Sequence, residues 1–154
     1  MEVVSYMIEA HIIKITGNEI NFLLLKRSEK EIYPGIWQMV TGKIKPEEKA
    51  YNTALREIFE ETGLKPLRFY TVPKVNSFYS EKTDTICMIP VFLAEVEKDC
   101  EVIISDEHSE YKWVNKEDAK KLLAWPGQRD AVDIIYEYFT NNRSLLNFTR
   151  IEKG

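Results

Sequence analysis

Glu57, Glu60 and Glu61 stand at i, i+3 and i+4 in a 154-residue chain. If the segment is helical, 3.6 residues per turn bring the three carboxylates into one arc of roughly a hundred degrees. Tyr51, Ala54, Leu55, Ile58 and Phe59 fall on a separate arc suited to a core, which leaves the acids free to meet solvent or a ligand. The grouping has a local cost. Like charges at i,i+4 destabilise a helix by about 0.2–0.5 kcal/mol, and acids near its C-terminus oppose the macrodipole by roughly 0.3–1 kcal/mol. Arg56, adjacent to Glu60 on the helix surface, neutralises one charge. A hard divalent cation, magnesium or manganese, accepts oxygens from all three. Taken alone, three such glutamates are an ordinary solvated face, so the surrounding residues decide.

Those residues predict the elements that hold the acids. Lys45-Pro46-Glu47-Glu48 places proline and acids at a helix start and Thr62-Gly63 is a stop, so a helix is expected over 47–62. Upstream, aliphatic and β-branched runs over 3–15 and 21–26 flank Thr16-Gly17-Asn18-Glu19, a hairpin pattern. Tyr33-Pro34-Gly35 marks a loop before a short strand over 36–40 that feeds Gly42. Downstream, 69–72, 86–96 and 111–114 read as strands, and 116–123 and 129–139 as helices. The order is α/β, a sheet covered on both faces by helices. One domain over 1–154 is expected, with the tail beyond about Asn141 peripheral.

Composition narrows the function. With 44% hydrophobic and 30% charged residues, the chain has the make-up of a globular protein, and its formal charge of −4 argues against a nucleic-acid polymer as partner. A polyanionic ligand then requires a cation as mediator. Cys87 and Cys100 form no CxxC pair, so neither a zinc site nor a disulfide framework is indicated and a reduced, cytoplasmic setting fits. The N-terminus carries Glu2, Glu9, His11 and Lys14 among its apolar residues and is neither a signal peptide nor a membrane span. His11, alone in a strand pattern, reads as structural. No Walker P-loop and no Ser/His/Asp system has a matching stretch.

The segment 42–64, GKIKPEEKAYNTALREIFEETGL, resembles the Nudix box at every fixed position. It has Gly, five residues, Glu, seven residues, Arg-Glu-aliphatic, one residue, Glu-Glu, one residue and Gly-aliphatic. The resemblance implies the Nudix fold, an α/β/α sandwich with a mixed sheet, and a Mg2+-dependent hydrolase, with Mn2+ as a substitute. It makes Glu57, Glu60 and Glu61 the metal ligands, with the Thr41 carbonyl as a further one. Arg56 and Glu48 become the pair that orients the cluster, and Gly42 and Gly63 serve the backbone where loop meets helix. The ions neutralise diphosphate oxygens and a carboxylate accepts a proton as water attacks phosphorus. Glu60, Glu61 and a downstream residue, Glu107, all stay open as that base.

Glu107 enters through 105–114, SDEHSEYKWV. That stretch is similar to a loop of bacterial dihydroneopterin triphosphate and dATP pyrophosphohydrolases in which an acid of a Glu-His pair approaches the metals. An exposed loop pair is the plain alternative for Glu107 and His108. Trp37-Gln38, Val40-Thr41-Gly42 and 125–129 extend the same resemblance. It implies a small nucleoside or pterin triphosphate as substrate, cut to monophosphate and pyrophosphate, and leaves a homodimer open. Trp37, Phe78 and Tyr79 suit either a stacked ring or the core. Tyr79, some fifteen residues past the box, supports a rival diadenosine polyphosphate substrate. A binding module that senses a nucleotide without cutting it is a further alternative, one that the intact glutamates disfavour.

Overall fold

Ile8, Ala10 and Ile12 are buried in one hydrophobic cluster and Ile13 in another. The first long strand is therefore covered on both sides, which is why its sequence is apolar almost without interruption. The computed structural model describes residues 1–152. In chain order the elements are β1 (Glu2–Val4), β2 (Met7–Thr16), β3 (Glu19–Arg27), β4 (Trp37–Gln38), β5 (Val40–Lys43), α1 (Ala50–Thr62), β6 (Arg68–Ser80), β7 (Thr85–Glu95), β8 (His108–Val114), α2 (Lys116–Leu122), α3 (Pro126–Asn141) and α4 (Arg143–Leu146), with a 3-10 turn at Asn147–Thr149. The eight strands form one mixed sheet. β7 runs parallel to β1 and β2, and the other pairings are antiparallel.

Period-two alternation sorts the side chains into two layers. Leu23, Leu25, Phe92 and Ala94 join Ala54 and Ile58 of α1 on one face. Phe22, Leu24, Val91 and Leu93 join Ala131, Val132, Ile135 and Phe139 of α3 on the other. Ile58 is fully buried, a burial that stabilises by about 1.5–3 kcal/mol and fixes which side of α1 faces outward. The helix-covered sheet is the α/β/α sandwich that the box resemblance implies. Among the described residues no helix is long and apolar enough to cross a membrane.

Several boundaries depart from expectation. The run over 3–15 splits at Ser5 and Tyr6, because β1 pairs with β7 while the start of β2 turns to β5. The strand expected over 69–72 continues to Ser80, its far half mixing Lys74, Asn76, Ser77 and Ser80 with exposed Val75, Phe78 and Tyr79, so that no apolar run marks it. The helix expected from Glu47 begins at Ala50. Glu47 has φ 69, a left-handed conformation incompatible with a first helical turn. The tail is packed rather than peripheral: Leu146 is buried in the α3-side core, and the Ile151 N–H donates to the Phe69 carbonyl at 2.8 Å.

The α3 side also holds two isolated polar features. His11 is buried, and burial pushes its imidazole down to about 4, so it stays neutral inside the sheet. Glu9 is buried beside it on β2 and accepts hydrogen bonds from the amides of Asn76 on β6 and Gln128 on α3. That tie fastens α3 to the sheet. Gly127 is required there, since a Cβ would lie 2.3 Å from Asn76 Oδ1.

Candidate active site

α1 is stopped by Gly63, whose φ of 73 suits the left-handed cap and whose N–H donates to the Phe59 carbonyl. Its start is set by a side chain from the preceding loop. Glu48 Oε1 accepts from the Lys45 N–H at 3.1 Å and from Thr53 Oγ1 at 2.7 Å, so the loop closes onto the first turn. Arg56 then forks onto the same carboxylate, Nε to Oε2 at 2.8 Å and Nη2 to Oε1 at 2.9 Å. These donors hold the Glu48 carboxyl well below the usual range, and the fork holds the guanidinium above its own. The pair expected from the sequence is formed.

Arg56 reaches three further acceptors. Nη1 donates to Glu57 Oε1 at 2.7 Å and to Glu60 Oε2 at 3.3 Å, and Nη2 donates to the Lys43 carbonyl at 3.1 Å. One planar cation thus aligns Glu48, Glu57 and Glu60 and ties α1 to β5, a task suited to the five fixed donors of a guanidinium. Gly42 of β5 faces Glu57 so closely that a Cβ would lie 2.3 Å from Glu57 Cγ. Only glycine fits. Thr41 precedes it in β5, opposite Glu9 of β2.

The acidic arc is not the uniformly exposed face that helical spacing suggests. Glu60 is half exposed, with 53% of its side chain accessible, while Glu61 is 2% exposed. Helical geometry fixes the angle of a side chain but not what other strands lay over it, and here β8 covers Glu61 with His108. Neither oxygen of Glu61 accepts a hydrogen bond. Burial first, then the carboxyls of Glu57 and Glu107, push its carboxyl up to about 10, against a smaller opposing effect of Arg27. A buried carboxylate without donors is costly unless a cation supplies the missing charge.

Glu107 is exposed, and its carboxyl is raised by partial burial and by Glu57, Glu31 and Glu60. His108, which the sequence left open as an exposed loop residue, is instead the first residue of β8 and 4% exposed. Its Nε2 lies 3.0 Å from Gln38 Nε2 on β4 and its Nδ1 lies 3.8 Å from Glu61 Oε1. Burial and then Arg27 push the imidazole down to about 4, so the ring is neutral near pH 7. Single donor atoms of Glu61, Glu107 and His108 all lie within 4.8 Å of one another, a set that could hold a metal ion.

The structure therefore joins Glu48, Arg56, Glu57 and Glu60 in one hydrogen-bonded network, packs Gly42 against Glu57, and sets Glu61 apart from that network beside Glu107 and His108. Two residues of the site were given no role in it by the sequence reading. Gln38 is a polar residue inside the short apolar run over 36–40, and that interruption was its signal. Arg27, which pairs in register with His108 and donates to the Ile32 carbonyl at 2.6 Å, ends a strand in a way many surface cations do. Of the aromatics, Trp37 on β4 packs against the α3-side core beside Gln38, Tyr79 donates its hydroxyl to Asp84 at 2.7 Å in the β6–β7 hairpin, and Trp125 packs edge-on to Tyr33.

Comparison with known proteins gives the arrangement a family. The NUDIX domain profile matches residues 6–133. The nucleoside triphosphatase NudI of Klebsiella pneumoniae (strain 342) is 31% identical over 111 residues, covering 67% of this chain and 79% of its own. The dihydroneopterin triphosphate diphosphatase of Haemophilus influenzae is 31% identical over 134 residues, covering 79% of this chain and 80% of its own. A solved binary complex of C. elegans Ap4A hydrolase shares the fold, with TM-score 0.75 and 22% identity over 88% of this chain and 97% of that one. Divalent metal is typical of the family, and the buried carboxylate at the head of α1's acidic arc is the feature such an ion would meet. With its box intact and its fold matched, this chain belongs to the Nudix hydrolases.

Proposed function

We propose that this protein hydrolyses a diphosphate bond in a nucleoside triphosphate-like substrate, of the dihydroneopterin triphosphate or dATP type, releasing a monophosphate and pyrophosphate. The observation that carries the reading is Glu61, buried with both carboxylate oxygens free of donors and ringed by Glu57 and Glu107. Oxygen donors of this kind fit a hard cation such as Mg2+, with Mn2+ able to replace it. Glu57, Glu60 and Glu61 would hold the ion, with the Thr41 carbonyl beside Gly42 as an additional donor. When bound, it supplies charge neutralisation on the diphosphate oxygens and makes water a better nucleophile.

The remaining work falls to the chain. Arg56 and Glu48 keep Glu57 and Glu60 aligned, so little reorganisation is needed when substrate arrives. Glu107, exposed and with its carboxyl raised toward the working pH, is suited to take the proton from the attacking water. Arg27 offers a cation at the same end of β3 for substrate phosphate. The triphosphate class draws support from the two relatives named for it, each about a third identical over most of this chain. The diadenosine alternative rested on Tyr79, whose hydroxyl donates to Asp84, and the bis(5'-nucleosyl)-tetraphosphatase of Rattus norvegicus, 33% identical over 71% of this chain, supports it as the rival substrate class.

The test is a substrate panel with Mg2+: dihydroneopterin triphosphate, dATP and other nucleoside triphosphates, diadenosine tetraphosphate and ADP-ribose, with products separated by chromatography. Pyrophosphate and a monophosphate from one triphosphate are expected. Turnover of diadenosine tetraphosphate alone would transfer the assignment to the dinucleotide class, and binding without turnover of any compound would make the chain a sensor.

A further inference from the structure

His108 and Glu61 face each other in the same enclosed space, 1% and 2% exposed in their side chains, and neither Nδ1 nor either carboxylate oxygen has a hydrogen-bond partner. The other ring nitrogen is engaged at 3.0 Å by the amide nitrogen of Gln38, itself buried on β4. An amide nitrogen only donates, so His108 Nε2 must present its lone pair there. A ring with one proton then carries it on Nδ1, aimed at the carboxylate. Once Glu61 is ionised, as holding a cation requires, the opposite tautomer sets two lone pairs, Nδ1 and Oε1, against each other 3.8 Å apart in a buried site, which is unfavourable. β3 fixes this arrangement, because β4 and β8 both pair with it and so bring Gln38 and His108 together.

We propose that His108, its tautomer set by Gln38, is a positioning residue that donates its Nδ1–H to Glu61 and orients that carboxylate toward the cation. At 3.8 Å the bond is not closed. A small rotation of the Glu61 side chain brings its oxygen into range, and neither oxygen is held by another donor. The role resembles the way a hydrogen bond from outside a metal's own ligands fixes a carboxylate's direction, an effect whose removal costs about 10–100-fold in affinity or activity. The inference rests on the reading of Glu61 as a metal ligand given above.

Side-chain geometry supplies a discriminating test. An asparagine amide places its nitrogen near the position of imidazole Nδ1, whereas a glutamine amide reaches the position of Nε2. Free Mn2+ would be followed by electron paramagnetic resonance in titrations of the wild type, His108→Asn, His108→Gln, His108→Leu and Glu61→Gln, with kcat, KM and thermal midpoint measured alongside. The expected result is an Mn2+ affinity lowered about 10–100-fold in His108→Leu and His108→Gln, with His108→Asn restored to near the wild-type value, and kcat following the same order. If His108→Leu does not fold, the comparison of Asn with Gln carries the test alone. Equal affinities in the Asn and Gln variants, while Glu61→Gln loses binding, would overturn the role of His108 and leave the metal site standing. Wild-type affinity in Glu61→Gln would overturn the metal site itself. A loss confined to Zn2+ or Co2+, with Mn2+ affinity intact, would make His108 a nitrogen ligand instead.

Discussion

Glu61→Gln is expected to lower turnover by roughly 10³-fold or more, the scale of losing a group that acts mainly in the transition state, while making the metal-free protein more stable. The two effects have one cause. Folding raises the Glu61 carboxyl from the ordinary carboxylate range to about 10, so its contribution to stability is fully present below about pH 4 and declines as pH rises toward 10. At pH 7.5 the decline spans about three units, and at ~1.4 kcal/mol per unit its ceiling is ~4 kcal/mol. Glutamine removes that penalty at nearly constant shape. In chelator-treated samples the variant should melt several degrees above the wild type at pH 7.5, and the two should converge at pH 4. Saturating Mg2+ should raise the wild-type midpoint and leave that of the variant unchanged, because only the wild type binds the ion in its folded state. Differential scanning fluorimetry across pH, with and without Mg2+, checks all three statements.

Arg56→Lys should cost about 10–100-fold in kcat, as expected for loss of a group that orients ligands without contacting the reaction, and Arg56→Ala should cost more. Lysine keeps the charge but not the fork that grips both oxygens of Glu48 while reaching Glu57, Glu60 and the Lys43 carbonyl. Alanine additionally leaves three acids, Glu48, Glu57 and Glu60, without their shared cation and frees the loop that Glu48 closes over the start of α1. The thermal midpoint should therefore fall in both variants, further in Arg56→Ala, and the Mg2+ concentration for half-maximal rate should rise. Steady-state kinetics over a Mg2+ series separates this outcome from a simple folding defect, in which kcat per folded molecule and the Mg2+ dependence stay unchanged.

The box was legible because a helix converts sequence spacing directly into angle: Glu57, Glu60 and Glu61 share an arc, and Arg56 reaches Glu60 as i,i+4 geometry allows. The strands were legible wherever both faces are buried, as in β2 and β7, and less so in β6, where Lys74, Asn76 and Ser77 break the apolar run. Burial of individual site residues was not legible. Whether Glu61 meets solvent depends on β8, 47 positions downstream at His108, and nothing in the helix itself records that β8 covers one glutamate and leaves Glu60 open. The start of α1 was misjudged for a related reason. Pro46-Glu47-Glu48 suits a helix by composition, yet Glu48 is more strongly engaged as the loop's anchor to Lys45, Thr53 and Arg56. His108 shows the same dependence: its meaning comes from Gln38, 70 residues away.

The carboxylates of α1 are expected to gather a divalent cation. Crystals grown with Mn2+ and measured at a wavelength where manganese scatters anomalously locate the ion without reference to activity. A strong anomalous peak is expected in contact with the carboxylates of Glu57, Glu60 and Glu61, close to Glu107. A well-ordered map at saturating Mn2+ with no peak there, or with its peaks only at other acidic residues, would contradict this expectation.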